Sequence, residues 1–183
     1  MQPRILLDSK RFNLTINRLC YQLIENHPDF QNTILIGVQP RGVFFSNRIF
    51  KCLQDITGKQ ITYGKLDVTF YRDDFRTSVK PLTPSQTDIN FIIENKKVIL
   101  VDDVLFTGRT IRSAMDALVD FGRPAKVELM VLIDRRFTRH VPIQADYTGL
   151  TIDSLQSEKV KVEWKETDAE DAIWIIPSLT EKL

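Results

Sequence analysis

The sequence predicts an α/β domain built on a mainly parallel sheet flanked by helices. Short β-rich apolar runs alternate with helical patterns up to Asp134, the order in which parallel strands and their crossover helices follow one another. The run "AKVELMVLI" is apolar almost throughout, as a strand buried on both faces reads. Two of the strands lead directly into loops bearing glycine, "PRG" and "TGRT", each followed by a helical pattern.

The elements follow in order. In "LDSKRFNLTINRLCYQLIEN", Phe12, Ile16, Leu19, Cys20, Leu23 and Ile24 recur at helical spacing, and Asp8 or Ser9 is available as N-cap. "TILIGV" is a short strand, "PRG" a break, and "VFFSNRIFKCLQDI" a helix ended by Thr57 and Gly58. "ITYGKLDVTFYR" reads as one long strand, and residues 73–90, polar and without apolar periodicity, form the best candidate for a mobile loop. A strand over 97–101, a loop, a helix to about Phe121, the turn "GRP" and the apolar strand complete the alternation. Beyond Asp134 the short β-like pieces, the charged "SEKVKVEWKETDAED" and "AIWII" predict an appendage over about 135–183 that folds over one sheet edge, within a single domain spanning 1–183.

Composition narrows the class. A chain of 183 residues, 43% hydrophobic and 27% charged, is the size of one domain with its own core. Its net charge of +1 announces no nucleic-acid binder, although a local basic face can hide inside a neutral total. No apolar run approaches the roughly 20 residues of a membrane span, and "MQPRILLDSKRF" lacks a signal peptide's apolar segment, so a cytoplasmic location without membrane partners is expected. Cys20 and Cys52 lie among apolar helical positions and read as reduced core thiols. His27, before Pro28, reads as a surface cap, and His140 as part of a solvated basic turn. Trp164 and Trp174 read as packing or interface residues.

The stretch "VILVDDVLFTGRTIRSAMDAL" carries the chemistry. In open α/β sheets ligands bind beyond the carboxyl ends of the strands, where a helix N-terminus offers unpaired N–H groups to an anion. Thr107, Gly108, Arg109 and Thr110 fall at such a place and suit a phosphate. Asp102 and Asp103 cannot favour that same phosphate, so they face another part of the ligand: sugar hydroxyls or a hydrated Mg²⁺. A phosphate at one end with a diol behind it describes a ribose 5-phosphate. P-loop and dinucleotide fingerprints are absent; plain helix capping explains one acid but not two ahead of T-G-x-T.

An apolar strand, two acids and a T-G-x-T loop resemble the signature of the type I phosphoribosyltransferases. Across nearly the whole chain, "LDVTFYRDD", "VILVDDVLFTGRTIRSAMDALVDFGRPAKVEL", "VLIDR", "PIQADYTG" and "SEKVKV" are similar, in order, to the PyrR family of pyrimidine-operon regulators, many of which are uracil phosphoribosyltransferases. The resemblance implies a type I phosphoribosyltransferase fold with a small C-terminal hood, and formation of UMP and pyrophosphate from uracil and phosphoribosyl pyrophosphate (PRPP) with Mg²⁺. It implies that Asp102 and Asp103 hold the ribose hydroxyls and the metal with PRPP oxygens, and that Val104, Leu105, Phe106, Thr107, Gly108, Arg109 and Thr110 wrap the 5-phosphate. Gln39, Pro40, Arg41 and Gly42 fall on the pyrophosphate loop; the Gln39–Pro40 bond is expected either cis, as that loop often is, or as an ordinary trans proline. Arg72 is a candidate to reach the pyrophosphate when a loop closes, or an ordinary strand-end arginine. Arg135, Tyr147 and Thr148 are the base-binding candidates, with a core tyrosine as the competing reading of Tyr147. No general base is evident, so uracil loses its proton to solvent or through a backbone-held tautomer.

The same resemblance implies a rival function, binding of a pyrimidine-gene leader RNA in response to UMP or UTP, and a homodimer or higher assembly. Arg18 and Arg139 are the RNA candidates that match the family's basic positions, alongside Lys10, Arg11, Arg135, Arg136 and His140 as further basic side chains. Tyr21, Asn26, Gln144 and Leu150 stand where RNA-binding members carry basic residues, and "DRRFTRHVP" is longer than the usual turn by about one residue, which weakens the phosphate-gripping surface. A phosphoribosyltransferase acting on another base is the third alternative.

Overall fold

The computed structural model describes residues 2–73, 84–155 and 157–177. Its main sheet comprises β2 (Thr33–Val38), β3 (Thr62–Leu66), β4 (Lys97–Leu105), β5 (Lys126–Arg136) and β6 (Tyr147–Asp153), all parallel, in the order β3-β2-β4-β5-β6. Helices α1 (Ser9–Asn26) and α2 (Gly42–Thr57) cover one face, where Phe12, Leu19, Phe45 and Ile49 pack against Leu35, Ile99, Met130 and Leu132. On the other face Ile111, Ala114 and Leu118 of α3 (Arg109–Leu118) meet Ile36, Leu100 and Val131. Alternate side chains of each central strand therefore enter different cores, which is why "TILIGV" is buried at every position.

Asp8 caps α1, its side chain accepting the Arg11 N–H at 2.8 Å, as the sequence allowed. Gly58 closes α2 in the left-handed region, with its N–H donated to the Gln54 carbonyl. Cys20 is buried and Cys52 half-buried, both as free thiols.

Three elements depart from the sequence reading. The long strand stops at Leu66, because Asp67 accepts the Thr69 N–H and hydroxyl and turns the chain into a 3₁₀ segment, Thr69–Tyr71. Strand β4 runs to Leu105 rather than 101, because its pairing with β5 continues from Asp102 opposite Val131 to Leu105 opposite Asp134. The hood is a separate antiparallel sheet, β1-β8-β7, made of β1 (Arg4–Leu7), β7 (Lys159–Glu163) and β8 (Ala172–Ile176). It recruits the N-terminal strand, while β6 joins the main sheet, so the boundary at 135 divides the wrong elements. Most of the loop expected over 73–90 lies outside the described residues, at 74–83. Its end returns to the sheet edge, where Asp88 bridges Lys65.

Candidate active site

Two helix N-termini and the end of β4 converge beyond the carboxyl edge of the main sheet. Gly42 begins α2, and a Cβ added there would lie 2.7 Å from the Val101 carbonyl oxygen and 2.9 Å from Asp102 Cα. Glycine lets the helix end abut the strand that carries the acids. The loop before it has a cis Gln39–Pro40 bond, the first of the two alternatives weighed from sequence. The Gln39 side chain donates to the Gln86 carbonyl at 2.6 Å. Arg41 donates through Nε to Asp103 Oδ2 at 3.0 Å and through Nη2 to the Val162 carbonyl at 2.8 Å, tying acid pair and hood together.

Asp102 and Asp103 are both buried. Burial, and then the neighbouring Asp103 carboxylate, raise the Asp102 pKa well above the usual carboxylate range, against the opposing effects of the Asp103 N–H and Arg41. The pair is an acceptor-rich spot short of positive charge. That donor set fits Mg²⁺, which takes one or two carboxylates and completes its shell with ligand and water oxygens; among the described residues no cluster of three or more His, Cys, Asp or Glu forms a protein-only cage.

Below the acids, a cavity of about 260 Å³ is lined by Val104 through Ile111 and by Arg72 and Asp73 from the 3₁₀ side. Gly108, at φ +86°, turns the chain into α3, a conformation that side chains with a Cβ resist. Gly108 accepts the Arg112 N–H at 3.0 Å, while the first N–H groups of the helix have no acceptor within it. In the cavity wall the Arg109 side chain donates to Asp73 Oδ2 through Nε and Nη2 at 2.9 and 2.7 Å.

Other candidates lie elsewhere. Tyr147 pairs with Met130, which pairs with Val101, so it lies two strands across from β4 and one residue before the level of Asp102. There its hydroxyl donates to Glu128 Oε2 at 2.9 Å beside His27, and the core reading describes it. The adjacent Thr148 pairs with Val131, level with Asp102 two strands away, and offers its carbonyl to Arg18 Nη2 at 3.2 Å. His27 is buried, not a surface cap: it closes α1 and bonds Thr33 and Glu128 at 3.0 and 2.8 Å. Arg135 is at the site edge but turned to the hood, donating to Ser154 Oγ and to the Leu155 and Glu158 carbonyls, with its guanidinium 4.0 Å over the Phe106 ring. Arg18 also donates to the Gly149 carbonyl, and Arg139 is engaged with the loop carbonyls around the cup. The Val162 carbonyl of β7, which Arg41 reaches from the acid pair, was not among the sequence candidates. Its only signal was "SEKVKV", whose alternation marks a strand but not the sheet it joins.

A phosphoribosyl transferase domain model matches residues 4–167. The chain is 47% identical over 169 residues to the bifunctional protein PyrR of Desulfosudis oleivorans, covering 92% of this chain and 93% of that one. It is 42% identical over 176 residues to the bifunctional protein PyrR of Bacillus cereus, covering 95% and 97%. In fold it matches the hypoxanthine phosphoribosyltransferase of Trypanosoma cruzi with a TM-score of 0.71 at 20% identity, over 96% and 97% of the two chains. The Staphylococcus aureus enzyme gives 0.70 at 21%, over 97% and 93%. The cup, the acid pair and these relatives agree: the chain is a phosphoribosyltransferase of the PyrR family.

Proposed function

We propose that the protein transfers the phosphoribosyl group of PRPP to uracil, giving UMP and pyrophosphate. The carrying observation is the buried Asp102–Asp103 pair beside the donor cup headed by Gly108. In the reaction the bond from the ribose anomeric carbon to pyrophosphate oxygen breaks, the bond to uracil N1 forms, and the N1 proton leaves. Donors at 107–110 hold the 5-phosphate, the acids face the ribose hydroxyls, and Arg41 with the 39–42 loop meets the departing pyrophosphate. Holding these parts in line removes much of the entropic barrier, and placing positive charge where negative charge develops lowers it further. Mg²⁺, held by Asp102 and Asp103 with PRPP oxygens, would supply charge neutralisation for the leaving group.

The base is assigned to the outer edge of β7. Glu158 and Val162 offer their carbonyls away from β8, to Arg135 and Arg41, and Val160 shares their parity. In an antiparallel pair, residues of one parity turn both N–H and C=O to the same side. Alternating donors and acceptors there match the C2=O, N3–H, C4=O edge of uracil.

The RNA-binding reading rests on family membership alone. Arg18 and Arg139 donate to this chain's own carbonyls, so the geometry supports the enzyme better. A homodimer or higher assembly is proposed on the same basis, and light scattering checks it. The deciding experiment is a steady-state assay of pyrophosphate and nucleotide formation from PRPP, Mg²⁺ and uracil, with hypoxanthine and guanine in parallel. Uracil-specific turnover supports the proposal; turnover of a purine instead would replace it. PRPP binding without turnover, together with salt-sensitive binding to a pyrimidine-gene leader RNA, would establish the regulator.

A further inference from the structure

A phosphate cup works only if its carbonyl oxygens are turned away from the anion. In this loop the 138–141 segment occupies them. Arg139 Nη1 donates to the carbonyls of Leu105 and Phe106 and, at 3.0 Å, of Arg135, while Nε donates to the Ile143 carbonyl at 3.1 Å. Nη2 meets Asp134. The Thr138 hydroxyl contacts the Phe106 and Arg135 carbonyls, and the N–H groups of His140 and Val141 donate to the Thr107 carbonyl at 2.9 and 3.2 Å. Three successive carbonyls, 105 to 107, are thereby held from behind by one turn. With those oxygens engaged, they do not oppose an anion at 107–110, where the Arg109 N–H meets Thr107 Oγ1 at 3.4 Å.

We propose that Arg139 is a positioning residue for 5-phosphate binding: it splints the back of the cup and touches no substrate. A planar guanidinium with five donors is suited to this task. A lysine, with one compact charge, cannot span carbonyls on both sides of the loop. The inference rests on the phosphoribosyl-transfer reading but not on the identity of the base.

The test compares wild type with Arg139→Lys and Arg139→Gln. Expected is a PRPP KM raised at least tenfold in Arg139→Gln and less in Arg139→Lys, with kcat and the uracil KM within twofold. Calorimetric binding of ribose 5-phosphate should weaken by a similar factor. Thr138→Val, a milder loss behind the same cup, should move the PRPP KM in the same direction and serves if the arginine variants do not fold. An unchanged PRPP KM and ribose 5-phosphate affinity would overturn the proposal, as would an equal rise in both KM values. Because ribose 5-phosphate carries no base, weakened binding in the variants upholds the inference even if wild type turns over no uracil.

Discussion

Arg41 joins Asp103 to the hood: one guanidinium donates to the buried carboxylate at 3.0 Å and to the Val162 carbonyl of β7 at 2.8 Å. The arginine side chain is 55% exposed and the carboxylate 7%. Such a pair contributes little to stability, on the order of 1 kcal/mol or less, but aligns the acid with the strand proposed to receive the base.

Asp103→Asn should therefore lower kcat by about 10²- to 10³-fold, the scale of losing one group that stabilises developing charge. The melting temperature should shift by only about 3 °C. Steady-state kinetics beside a thermal melt checks both; unchanged turnover removes Asp103 from the mechanism.

Gly42→Ala should damage both stability and activity. The new methyl meets backbone at 2.7 and 2.9 Å, which cannot rotate away, so α2 must shift from β4. A loss of about 1 to 3 kcal/mol is expected, measured by urea denaturation, with a raised KM for PRPP.

Val160→Pro removes an N–H on the outer edge of β7 while sparing the ladder to β8, a place where sheets tolerate proline. The uracil KM should rise roughly two- to tenfold, the worth of one hydrogen bond. An unchanged uracil KM would move the base elsewhere.

The Glu128 network predicts an acid limit to stability. Burial favours the neutral carboxyl, yet hydrogen bonds from Lys126, His27 and Tyr147 hold the pKa below its usual 4.5. A depressed carboxylate pKa stabilises the fold above the unfolded value, and that contribution is lost as pH falls through the folded one. Melting temperature should drop on acidification below about pH 4.5. Glu128→Gln should be less stable at neutral pH and show a flatter acid limb.

The sequence by itself determined the alternation of parallel strands and helices, the first helix down to its Asp8 cap, and the acids followed by T-G-x-T. These features are local: apolar periodicity, a capping side chain and a strand running into a helix N-terminus are written within about 20 neighbouring residues. Only the tertiary structure decided where Tyr147 and His27 point, that β1 completes the hood, and that Arg139 reaches the carbonyls behind the cup. Each depends on which strands become neighbours. The His27–Glu128 bond spans 101 residues, and the Arg41–Val162 bond spans 121. A charged or aromatic side chain carries no mark of its partner until packing brings donor and acceptor together. For that reason the phosphate cup was legible in one stretch of text, and the splint behind it was not.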